Sequence, residues 1–179
     1  RFSLFFPEKR DFFLEGRGVF DFGQGGVGGF GGGGGGGGGG FGRGGGDAPT
    51  LFYSRRIGLD RGEVGPIVAG GRVTGKAGPL AIGAVNIQTD DVAGTEIDDT
   101  NYSVVRLKRD VLGRSAIGAI FTNRSAALTG SGANRAYGVD AAFAFFQNLE
   151  MGAFWSVTES PKLSGNEQAW QAAMNYAGD

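Results

Sequence analysis

The 179-residue chain balances 17 Lys and Arg against 18 Asp and Glu, a net charge of −1, so no bulk attraction to nucleic acid or anionic surfaces is implied. It contains no Cys and no His, which removes disulfides, thiolate metal sites, the usual neutral-pH general base and the common triads. No apolar run approaches the ~20 residues of a membrane helix, so any crossing of a bilayer must be made with strands.

Residues 1–22 are rich in Phe and charge and open the chain. Residues 23–49 are a glycine-rich insertion, with glycine at every position from Gly31 to Gly40. Such a tract has almost nothing to bury and maximal backbone entropy, so a flexible loop or linker is expected. Residues 50–179 carry a strand pattern. The chain begins at Arg1 without an initiator Met and stops at Tyr176-Ala177-Gly178-Asp179, beside a strand-like run. The expectation is a fragment of a longer protein.

Alternation predicts strands over 66–75, 79–89, 101–109, 114–122, 135–146, 149–158 and 168–177, with one or two more before Pro66. The pattern is cleanest where Tyr137, Val139, Ala141, Phe143 and Phe145 alternate with Gly138, Asp140, Ala142 and Ala144. The next strand sets Leu149, Met151, Ala153, Trp155 and Val157 against Glu150, Gly152, Ser156 and Thr158, with Phe154 out of place on the polar face. In the last, Trp170, Ala172, Met174 and Tyr176 oppose Gln171, Ala173 and Asn175. Gly70-Gly71 interrupts the first strand and predicts a bulge or bend there.

The connections alternate in length. Short ones lie at 75–78, 110–113 and 147–148; long ones run Asp90–Thr100, Asn123–Asn134 and Glu159–Glu167. That is the wiring of an up-and-down barrel in a bacterial outer membrane, and each strand is near the ~9–11 residues that cross a bilayer at a tilt. Aromatics near strand ends fit interfacial girdles, and small inward residues beside charges fit a wet lumen. The expected fold is therefore all-β: a partial antiparallel up-and-down transmembrane β-barrel, about seven to nine strands of a larger one. The competing fold is a soluble β-sandwich.

Several motifs suggest chemistry that their context does not support. Gly70–Lys76 has the spacing of a phosphate-binding loop, but Ala77 stands where a Mg²⁺-binding hydroxyl belongs and Gly78-Pro79 follows instead of a helix. The Phe-Gly repeats resemble RNA-binding tails, yet the glycine tract has one arginine, Arg43. Asp90, Asp91, Glu96, Asp98 and Asp99 make an acidic loop that matches no defined Ca²⁺ motif and reads as solvated surface. Glu150 and Glu159 have no spacing that pairs them for glycoside hydrolysis. No catalytic residue, cofactor or metal ligand is expected, and no nucleic-acid partner. Arg55 and Arg56, beside Phe52 and Tyr53, line a pore, bind an anion or pair with Glu8, Glu15 or Glu63. Face assignment makes Arg72, Arg106, Lys108 and Asp140 the candidate lumen-facing residues.

The stretches Phe5-Phe6-Pro7-Glu8-Lys9-Arg10, Phe12-Phe13-Leu14-Glu15-Gly16 and Leu51-Phe52-Tyr53-Ser54-Arg55-Arg56-Ile57-Gly58 resemble an uncharacterised bacterial family. The similarity extends through Asn101–Leu107 and Asn134–Asp140 and spans most of the chain outside the glycine tract. Members carry a carbohydrate-binding-like domain, similar to the family-nine xylanase-associated module, followed by a domain of unknown function thought to be an outer-membrane β-barrel. The resemblance implies a bacterial outer-membrane location, lipid as partner, and polysaccharide contact through a domain missing from this piece. It carries over no reaction. The expected role is non-catalytic: solute passage or carbohydrate-related surface binding. The alternative is a soluble β-rich carbohydrate-binding module or a surface-anchored glycoside-processing protein.

Overall fold

The computed structural model describes residues 9–14, 17–23, 49–54, 57–60, 63–92, 98–125, 132–161 and 167–178. A short helix, α1 (Asp11–Leu14), and a 3-10 turn (Arg17–Phe20) come first. Strands follow: β1 (Leu59–Asp60), β2 (Glu63–Val64), β3 (Ile67–Ala77), β4 (Leu80–Thr89), β5 (Thr100–Val111), β6 (Ser115–Arg124), β7 (Asn134–Phe145), β8 (Leu149–Glu159) and β9 (Glu167–Tyr176). β3 to β9 form one antiparallel sheet in which every strand pairs with its sequence neighbours. The fold is all-β and up-and-down. Among the described residues β3 and β9 do not pair, so the sheet is open.

Each of the seven long strands ends within two residues of the limits that alternation predicts. The tight turns are where left-handed backbone is available: Gly78 has φ 57° and Gly113 φ 72°. Leu112 (φ 48°) and Phe146 (φ 55°) take the same conformation despite their side chains. Among the described residues, the strands found before Pro66 are the two-residue β1 and β2, which pair with each other and stand outside the large sheet. The bulge expected at Gly70-Gly71 is also displaced. The register shifts between Ile67 and Ala69, while Gly70 and Gly71 pair regularly with Ile87 and Asn86. Gly70 has a packing reason instead, since a Cβ there would lie 2.4 Å from Ile87 Cδ1.

The sheet has one covered face and one bare face. The cover is the N-terminal part of the chain. Phe13 and Ile57 are buried with Val85 and Ile87 of β4, Val104 of β5 and Ile120 of β6, and Phe20, Phe22, Leu51 and Phe52 pack around them. Burying each large apolar side chain contributes about 1.5–3 kcal/mol. Arg10 ties the layer together by donating to the carbonyls of Ile57 (3.0 Å) and Ser54 (2.7 Å). Two strand glycines receive this layer. A Cβ on Gly83 would sit 2.8 Å from the Phe20 ring, and one on Gly138 2.6 Å from the Phe22 ring. The small residues expected to line open water are, at these two positions, small because aromatic rings rest on them. Phe154 is out of pattern for the same reason: its ring meets that of Phe22 edge-on, with centroids 5.8 Å apart.

Candidate functional site

Period-two alternation puts Arg72, Arg106, Lys108 and Asp140 on the covered face, at neighbouring positions of β3, β5 and β7. Their surroundings differ. Arg106 is 1 % exposed and forms a two-bond ion pair with Asp140, Nη1 to Oδ1 at 2.6 Å and Nη2 to Oδ2 at 2.8 Å. The pair spans β6 above Gly118, where a Cβ would lie 2.7 Å from both guanidinium nitrogens and from Asp140. Asp140 also accepts the Gly23 backbone N–H at 3.2 Å, and the Phe22 ring lies 5.8 Å from the guanidinium carbon. Nε of Arg106 is buried without a partner. Arg106 is thus a locked structural cation rather than an open, solvent-facing one.

Arg72 grips the N-terminal cover directly. Its Nη1 donates to the Phe12 carbonyl and its guanidinium lies 5.4 Å from the Phe12 ring centroid. Lys108 is exposed. It lines a pocket of about 360 Å³ on the covered face, together with Asp21, Asp110, Arg114 and the Arg106–Asp140 pair. Asp110 is engaged by Lys76 at 2.8 Å, and Arg114 donates to the Phe146 carbonyl at 3.0 Å. Among the described residues no three His, Cys, Asp or Glu side chains are grouped to hold a metal. Arg55, Arg56 and Glu96 lie outside the described residues, as do Gly25–Gly46 of the glycine tract.

The bare face has a different chemistry. One cross-strand row runs Ile82, Leu107, Ala119, Val139, Trp155, Trp170 from β4 to β9. The next row toward the long connections is Ala84, Val105, Phe121, Tyr137, Val157, ending at Gln168. Beyond it everything turns polar: Asn86, Ser103, Asn123, Arg135 and Glu159. This border is internally bonded. Asn86 Nδ2 donates to Asn101 Oδ1 (3.0 Å) and Ser103 Oγ (2.8 Å), and Asn101 Nδ2 donates to Gln88 Oε1 (3.1 Å). Toward the tight turns the apolar character continues on β7, β8 and β9 through Phe143, Phe145, Leu149, Met151, Met174 and Tyr176.

Large apolar side chains stand uncovered across this face. Val73 is 68 % exposed, Val139 49 %, Trp155 42 % and Trp170 74 %. Comparisons with protein-family models, with curated proteins and with solved structures found no match.

Proposed function

We propose that this chain forms part of the wall of a bacterial outer-membrane β-barrel, its bare face against lipid and its covered face inward, in a non-catalytic role. The observation that carries this is the bare face itself. A sheet in water buries such a surface, whereas lipid accepts it without loss. Strands of 10–12 residues suit a tilted crossing. A polar border on the long-connection side agrees with a bilayer edge. The aromatics are spread over the height of the bare face, with Phe121 and Tyr137 beside the polar border, Phe143, Phe145 and Tyr176 near the tight turns, and Trp155 and Trp170 between them. Aromatics next to both ends of the band suit two interfaces better than one flat sugar platform.

The N-terminal layer is then an internal plug, and the role is solute passage past that plug or carbohydrate-related binding at the cell surface. Of the candidate inward residues bordering the covered-face pocket, Lys108 is exposed whereas Arg106 is buried in its ion pair, so selectivity rests on Lys108 rather than on Arg106. The test is gel mobility in detergent with and without boiling. A heat-dependent shift supports a folded membrane barrel. No shift, with solubility in the absence of detergent, favours the soluble β-rich binding module.

A further inference from the structure

The bare face is not uniform. One row of it is cut low by small side chains: Ala141, Ala153 and Ala172 lie side by side on β7, β8 and β9. The same row begins on β4 and β5 with Leu80 and Arg109, then Ile117 on β6. Leu107, Ala119, Val139 and Trp155 bound it on the long-connection side. From Leu80 and Arg109 to Ala153 this row lines a trough of about 550 Å³, almost wholly apolar, and Ala172 continues the row beyond it. Three strand steps of about 4.8 Å make the trough from Arg109 to Ala153 roughly 14 Å long, about the depth of one bilayer leaflet's hydrocarbon.

Arg109 sits at the mouth of this trough and is its one bare-face charge. It is exposed, and its side chain makes no ion pair or hydrogen bond among the described residues. Its height is informative. On β5 the bare face passes from Leu107 to Arg109, two residues before the strand ends at Val111. On β7 and β8 the band continues past the same row, through Phe143, Phe145, Leu149 and Met151. The row therefore starts at the edge of the apolar band and enters it as it crosses the sheet. A cation at the edge and a narrow apolar channel leading inward match an anionic headgroup and its acyl chain, both in chemistry and in length.

We infer that this trough is a binding site for one anionic phospholipid, with its phosphate on Arg109 and an acyl chain along Ala141 and Ala153 beside Trp155. The inference rests on the lipid-facing assignment of the bare face. Guanidinium is suited to phosphate because it presents paired N–H donors in a fixed plane. The preference expected from one such cation at a membrane surface is about fivefold over a zwitterionic lipid of the same chains.

The chain has two tryptophans, so Trp170→Phe leaves Trp155 as the sole reporter. That variant is inserted into phosphatidylcholine vesicles containing increasing fractions of brominated phosphatidylglycerol or, separately, brominated phosphatidylcholine. The expected result is half-maximal quenching of Trp155 at about one-fifth the fraction of phosphatidylglycerol. Adding Arg109→Gln should bring the two curves together, and Arg109→Lys should keep part of the gap. Equal quenching by both lipids with Arg109 present overturns the site while leaving the face in lipid. No quenching by either lipid overturns the site and the lipid-facing assignment together.

Discussion

Asp140→Ala is the sharpest test of how the covered face is held. In the native protein the Arg106 guanidinium is 1 % exposed, and both its terminal nitrogens bond to Asp140. Removing the carboxylate leaves a buried cation whose Nε already has no partner. It also takes away the acceptor of the Gly23 N–H. Breaking one side of a buried pair in this way costs about 3–5 kcal/mol. The cost belongs to the stranded charge more than to the lost bond, which gives the control. Arg106→Met with Asp140→Ala removes both charges and should recover most of the loss, because apolar replacement of a buried pair is often close to neutral. The assay is the urea midpoint of folding into detergent micelles, followed by gel mobility. A single-variant loss under about 1 kcal/mol, or a double variant no better than the single, would mean that water reaches Arg106 and the pair is not sealed.

Other perturbations probe the remaining layers. Gly138→Val forces a side chain into the Phe22 and Leu51 contacts, the nearer only 2.6 Å from a new Cβ. A loss of about 1–3 kcal/mol and faster proteolysis of residues 9–23 are expected, and unchanged proteolysis would detach the segment from the sheet. Arg10→Met removes two charge-assisted bonds to the Ser54 and Ile57 carbonyls, each worth about 1.5–3 kcal/mol, so protection of the Ile57 region from hydrogen exchange should fall. Ala119→Arg puts a charge in the middle of the bare face and should cost about 2–4 kcal/mol of folding into vesicles, against about 0–1 for Ser103→Arg at the polar border. Equal tolerance at the two sites would place the bare face in water. Lys108→Glu should alter the charge selectivity of single-channel conductance while Arg106→Met alters stability instead; an unmoved selectivity would exclude Lys108 from any conducting path.

The sheet was legible in the sequence because its signal is local. A period of two and a turn every ten or so residues determine seven strands and both faces without any knowledge of what lies above them. Arg106 and Asp140 could be assigned to one face from that period alone. Their ion pair could not, because it depends on register across β6 and on Gly118 leaving room between them. The cover was illegible for a related reason. Phe13, Phe20 and Phe22 show no period that identifies a docking partner, and the glycines that accept them, Gly83 and Gly138, look like ordinary small lumen residues until the rings are in place. Phe154 was the one available sign. An aromatic on an otherwise polar face asks for a neighbour, and Phe22 supplies it. The displaced bulge has a simple cause: Gly70 answers to the bulk of Ile87 rather than to backbone irregularity.

The Gly23–Asp140 bond spans 117 residues. Every strand pairing in the sheet, by contrast, joins neighbours in the chain and closes loops of a few tens of residues at most. Each doubling of loop length adds about 0.6 kcal/mol of closure entropy, so the long contact is penalised relative to any hairpin. The hairpins can therefore accumulate in chain order, while the segment around Gly23 stays without its acceptor until β7 has joined β6. The segment that precedes the sheet in the chain is thus the last to be secured, and its docking reports that the strands behind it have been assembled in the correct register.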